Sequence, residues 1–132
     1  MASYNGTFDS IVLNLSQGNT EKLREIFEEI HPYDQAQILM QLSTDHRRLL
    51  AQLLSDEEMA EIIQELEIEQ QKLIIDELGV ERYSKIIVEM PSDDAADLLG
   101  DLDEERLNQV LDLMDDKEEA DLRELMEHPE NT

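Results

Sequence analysis

The sequence predicts an all-α protein, an α-solenoid of short helices set by a twelve-residue repeat and paired into helical hairpins. Three observations predict it. Glycine and proline together number seven and aromatic residues five, too few for a chain of strands and β-turns. Apolar residues return with a twelve-residue period from Thr20 onward. Within each period they stand at i, i+1 and i+4, the spacing of one helix face.

The blocks begin at Thr20, Pro32, Thr44, Asp56, Ile68, Val80, Ser92 and Glu104. Their seventh residues are Ile26, Ile38, Leu50, Ile62, Ile74, Ile86, Leu98 and Val110. The eighth are Phe27, Leu39, Ala51, Ile63, Ile75, Ile87, Leu99 and Leu111. The eleventh are Ile30, Leu42, Leu54, Leu66, Leu78, Met90, Leu102 and Met114. All twenty-four are apolar in a chain that is 40% apolar, which chance does not deliver. Position four extends the stripe in Leu23, Met59, Tyr83, Ala95 and Leu107. Position two is acidic in seven of the eight blocks (Glu21, Asp45, Glu57, Glu69, Glu81, Asp93, Glu105), where negative charge complements the helix dipole. Position twelve is His31, Ser43, Ser55, Glu67, Gly79, Pro91, Asp103 or Asp115, mostly residues of caps and turns.

Each block therefore reads as a helix of eight or nine residues and a turn of about three. A helix of about 13 Å is too short to stand alone, so the blocks must stack. The flanks are weaker blocks. Phe8 to Asn19 carries Ile11, Val12 and Leu15 and breaks at Gly18-Asn19, and Asp116 to Glu127 carries Leu122, Leu125 and Met126. The expected organisation is a flexible N-terminus over 1–7, one superhelical domain over 8–127 and the start of a linker over 128–132.

Composition removes several function classes. A chain of 132 residues and 15.3 kDa buries roughly 65–70% of its unfolded surface, enough for a real core. Thirty-four acids against ten bases leave a net charge of −24, which disfavours nucleic acid and anionic membrane surfaces. It favours cations or a basic partner. The absence of cysteine excludes a disulfide framework, a zinc-thiolate site and a thiol nucleophile. No apolar run approaches the ~20 residues that cross a bilayer. Met1 to Phe8 lacks a basic n-region, so no signal peptide is expected.

The acid is densest from Ser92 to Thr132, with sixteen acids and three bases. Like charges at i, i+4 repel on a helix, and Asp93/Asp97, Asp97/Asp101, Glu57/Glu61 and Glu61/Glu65 are such pairs. Asp93 and Asp97 hold positions two and six of their block, beside Asp94 and Asp101; Glu57 and Glu61 hold the same positions three blocks earlier. Hard cations prefer carboxylate oxygens, and Mg²⁺ takes only one or two of them directly. From composition alone these acids fit either a solvated face or half of a divalent-cation site. Asp101-x-Asp103-x-Glu105 opens like a calcium loop, but Arg106 stands where that loop needs glycine. No HExxH, phosphate-cradling glycine loop or G-x-S-x-G is present. His31, before Pro32 at a block boundary, reads as a cap rather than a catalyst. A paired-carboxylate hydrolase is disfavoured, since short helices this poor in aromatics build no sugar cleft.

Three segments carry a family resemblance. Leu23-Arg24-Glu25-Ile26-Phe27-Glu28-Glu29-Ile30-His31-Pro32-Tyr33-Asp34 resembles the opening of the cytosolic N domain of MgtE-type magnesium transporters. Met90-Pro91-Ser92-Asp93-Asp94-Ala95-Ala96-Asp97-Leu98-Leu99 resembles its Asp-Asp-x-Ala-Asp segment. Glu127-His128-Pro129-Glu130-Asn131-Thr132 resembles the junction that leads into a pair of CBS domains. The resemblance covers roughly Ile11 to Thr132. It implies a right-handed superhelix on the cytosolic side of a homodimeric Mg²⁺ channel in the cell membrane. It implies that high Mg²⁺ docks the N domain on the CBS pair and holds the pore shut. Glu61, Asp93 and Asp97 match the family's interfacial metal-binding acids. No enzyme activity is implied. No transport by this stretch alone and only weak Mg²⁺ affinity without the CBS half-site are expected. The rival class is an acidic protein–protein scaffold like the helical repeats of bacterial flagellar motor switch proteins.

Overall fold

The fold starts at the turns, where each helix needs partners for its first free N–H groups. His31 Nδ1 accepts from the Tyr33 N–H at 3.2 Å, Ser43 Oγ from His46 at 3.2 Å and Ser55 Oγ from Glu58 at 3.0 Å. Asp103 Oδ1 accepts from Arg106 at 2.8 Å and Asp115 Oδ1 from Glu118 at 2.9 Å. These are all position-twelve residues, so that position caps the helix that follows it. The cap reading of His31 holds.

A computed structural model describes residues 2–127, with side chains over 6–126. Among these residues the regular structure is helical throughout. The helices are α1 (Ala2–Gln17), α2 (Thr20–Glu28), α3 (Pro32–Gln41), α4 (Thr44–Leu53), α5 (Asp56–Gln64), α6 (Ile68–Leu78), α7 (Val80–Ile87), α8 (Ser92–Gly100), α9 (Glu104–Asp112) and α10 (Asp116–Glu127). From α2 on, each helix starts twelve residues after the previous start, at the block boundaries. The exception is α1, which is longer than the weak block from Phe8. It enters the 1–7 stretch that the repeat does not reach and stops at Gly18, whose φ is +74°. The expected linker start over 128–132 lies outside the described residues.

The chain forms two compact units, Met1–Glu65 and Leu66–Thr132. In the first, α1 packs on α2 and α4, and α3 on α4 and α5. In the second, α6 packs on α7, α7 on α9 and α8 on α10. The predicted stripe supplies the core of both. All eight position-eight residues are buried, as are twenty of the twenty-four stripe residues; Ile26, Ile30, Leu78 and Leu98 are half-buried.

Three blocks put a polar residue at position four, and each has found a carbonyl left open by the preceding helix or turn. Gln35 Nε2 donates to Phe27 O at 2.8 Å and Gln71 Nε2 to Leu66 O at 2.9 Å. Arg47, only 7% exposed, donates to Leu42 O at 2.8 Å and Leu39 O at 3.3 Å. Position four is thus either core or a C-terminal cap for the helix before.

One glycine is irreplaceable for backbone reasons. Gly79 ends α6 and begins α7 with φ +92° and ψ 153°, a region closed to other residues. A Cβ there would meet nothing within 4 Å, so the cost of Gly79→Ala is conformational. We expect a loss of about 1–3 kcal/mol, read as a lower thermal midpoint.

A polar staple joins α2 to α5. Arg24 donates to Glu58 Oε2 and Glu28 Oε2, both at 3.1 Å, and to Leu53 O. Glu58 also closes a capping box, its Oε1 accepting from the Ser55 N–H at 2.8 Å. Burial works against the charged form of Glu58, but the Ser55 N–H and Arg24 outweigh it and hold the carboxyl below its usual range. A lowered folded-state pKa contributes stability above about pH 4.5 that is lost as pH falls through the folded value. Urea melts between about pH 6 and 3 are expected to show this loss, and Glu58→Gln to reduce the slope.

Candidate metal-sensing face

The second unit carries the larger charge: twenty-two acids and six bases in Leu66–Thr132, against twelve and four in Met1–Glu65. Arg106, Lys117 and Arg123 among them are held by nearby acids. Arg106 bridges Asp76 on α6 and Asp103, the N-cap of its own helix. Its backbone N–H first, and then its guanidinium, keep the Asp103 carboxyl below the usual range. Lys117 pairs with Asp121 at 3.3 Å and Arg123 with Glu119 at 2.8 Å. The acids that open like a calcium loop are therefore a helix end, an N-cap and a first turn, as the repeat implies.

Helix α8 is built to present acid. Pro91 sets its entry with φ −56°, and Asp93 and Asp94 occupy the positive first turn. Ala95, Ala96 and Leu99 are buried. Asp93, Asp97 and Asp101, one turn apart, line the exposed flank. They border an open groove of about 560 Å³ whose other wall is Leu125 and Met126 of α10. Among the described residues, no side chain pairs with Asp93 or Asp97.

Sequence reasoning singled out Glu61, Asp93 and Asp97. Asp93 and Asp97 share one groove; Asp94 is exposed but not part of its lining. Glu61 stands on α5, in the other unit, exposed beside buried Ile62 and Ile63 and without a side-chain partner among the described residues. The periodicity did not bring in Leu125 and Met126. A stripe says which face of α10 is apolar, not which helix it meets.

Among the described residues, no group of three or more His, Asp or Glu side chains is close enough to hold a metal ion. Two unpaired carboxylates on one flank still suit Mg²⁺, which needs one or two such ligands and keeps its waters. They suit acid–base catalysis poorly. That chemistry sets one carboxyl in a dry pocket and its partner in a wet one, whereas Asp93, Asp97 and Asp101 are all exposed.

Residues 30–131 match the family described as the MgtE intracellular N domain. The chain belongs to that family. A crystal structure of the soluble part of a magnesium transporter matches it with a TM-score of 0.88 at 27% identity, covering 98% of this chain and 51% of that one. A crystal structure of the cytosolic domain of the Mg²⁺ channel MgtE in complex with ATP matches with a TM-score of 0.77 at 31% identity, covering 91% and 50%. The MgtE N domain described here thus spans about half the length of those structures. A search of curated protein sequences gives no significant match. Membership places the chain among the intracellular N domains of MgtE proteins. No described helix is long and apolar enough to cross a membrane.

Proposed function

We propose that this MgtE N domain senses Mg²⁺ on the cytosolic side of a channel, docking on a following CBS pair when the ion is abundant and so holding the pore shut. The observation that carries the reading is the exposed, unpartnered state of Asp93 and Asp97 on α8. Two carboxylates one turn apart already repel by a few tenths of a kcal/mol. A second acidic surface brought against them multiplies the repulsion, and water excluded from the contact screens it less. Asp93, Asp97 and, on its own unit, Glu61 would each offer oxygens to an ion shared with that surface. A bound divalent ion supplies the charge that makes contact favourable.

The equilibrium is two-state, docked or released, and the ion biases it because it binds the docked form better. The domain alone is half of each site, so its own affinity is low. In the whole protein, a homodimer, both protomers would dock. The regular helix starts and the packing of alternate helices within each unit favour stacked short helices, and the right-handed superhelix is what the family resemblance implies.

Limited proteolysis tests the function. In the longer protein that includes the CBS pair, Mg²⁺ is expected to protect the linker from cleavage, and Asp97→Asn to abolish the protection. Equal cleavage with and without Mg²⁺ overturns the proposal and favours a scaffold for a basic partner.

A further inference from the structure

The groove between α8 and α10 has three kinds of surface, and acid is only one of them. Asp93, Asp97 and Asp101 line one side, and Leu125 and Met126 stand opposite. Ala96 and Gly100, one turn apart on α8, add a track of small residues beside the acids. The fold gives no reason for glycine at position 100. Among the described glycines, left-handed backbone is confined to Gly18 and Gly79. A Cβ at Gly100 would meet nothing within 4 Å. Gly100 is the last residue of α8, and glycine holds a helix less well than alanine. What glycine does there is keep the groove open, since a larger side chain would project into it.

We propose that this groove is a docking slot for a basic amphipathic helix, which lays an apolar ridge against Leu125 and Met126 and sets Lys or Arg side chains on Asp93, Asp97 and Asp101. The lining selects that occupant. The three carboxylates recur every ~6 Å along α8, the rise of one helical turn, and Lys or Arg one turn apart on a second helix recur at the same rise. Among the described residues no side chain of this chain pairs with them. Leu125 and Met126 take apolar cover, to which the flexible Met side chain adapts. Both sides of the groove are helices, whose backbone groups are paired within themselves. An extended segment would leave its own N–H and C=O groups unmet against the apolar side, whereas a helix satisfies them internally. Asp93 to Asp101 spans ~12 Å, so the occupant is held over two to three turns. The proposal goes beyond ion sensing and does not rest on it, although a bridging ion and a basic side chain would compete for the same oxygens.

Fluorescence anisotropy of a dye-labelled synthetic peptide tests the slot, on the full chain in metal-free buffer at physiological ionic strength. The peptide has about fourteen residues, with leucines on one helical face and lysines one turn apart beside them; a second peptide has the same composition in scrambled order. The ordered peptide is expected to bind about tenfold more tightly than the scrambled one. Gly100→Leu, which fills the groove, is expected to weaken its binding about tenfold, and Gly100→Ala by less. Circular dichroism is expected to show both variants folded, since a Cβ has room there. Asp93→Asn/Asp97→Asn is expected to weaken binding about tenfold as well. Glu25→Gln/Glu29→Gln removes the same two charges from exposed positions in and just after α2, and is expected to leave the affinity within about twofold. No binding of the ordered peptide, equal affinity for the two peptides, unchanged affinity in Gly100→Leu, or equal losses in the two double variants overturns the inference. Each of the last three would mean a general attraction of bases to an acidic chain.

Discussion

Ile75→Ala is expected to lose about 2–5 kcal/mol, lowering the thermal midpoint by roughly 10 °C. Ile75 is 1% exposed on α6 and takes the eighth place of its block. Truncation removes three carbons from a packed site and leaves a cavity that the short helices around it only partly close. The control is two residues away. Leu73, on the same helix, is 41% exposed, and Leu73→Ala is expected to stay within about 0.5 kcal/mol. Denaturant melts of the two variants compare them directly. Comparable losses would mean that the twelve-residue stripe does not define the core.

That contrast shows why so much of the fold was legible. Ile74 and Ile75 belong to a stripe repeated eight times, so chance is averaged away, whereas Leu73 falls outside the repeat and is outside the core. Helix boundaries were legible for the same reason: a cap residue returns at every twelfth place, from His31 to Asp115. Tertiary partnership was not. Neither the stacking of α8 on α10, past α9, nor the groove wall of Leu125 and Met126 leaves a mark in the period. The start of α1 was not legible because Ala2 to Thr7 carries no repeat.

Arg47→Ala is the second large effect, with an expected loss of about 3 kcal/mol. Arg47 interrupts the apolar pattern at position four. It is buried, its guanidinium against the carbonyls of Leu39 and Leu42 at the negative end of α3. Alanine would strand those carbonyls and remove the packing of the long side chain. Arg47→Met keeps most of the packing and is expected to cost roughly half as much; that remaining cost reports the hydrogen bonds, and the difference between the two variants the packing. Circular dichroism melts at one pH are sufficient. The missed signal was available: Gln35, Arg47 and Gln71 share the same place in three blocks, and all are long donors.

The site was legible only as chemistry. Asp93 and Asp97 fall one turn apart in the sequence, and α8 indeed carries them to one exposed flank. What the flank faces is not written in the repeat. Both the proposed sensing role and the acids proposed to carry it rest on one balance, negative surface against negative surface with an ion between.

The distance between this domain and the proposed CBS pair, in a protein carrying both and followed by energy transfer from a dye on each during a Mg²⁺ titration, measures that balance most directly. Na⁺ at matched ionic strength is the reference. Shortening with Mg²⁺ that Na⁺ does not reproduce, and that Asp93→Asn/Asp97→Asn abolishes, is the expected result. The same shortening with Na⁺, or in the double variant, would contradict the account.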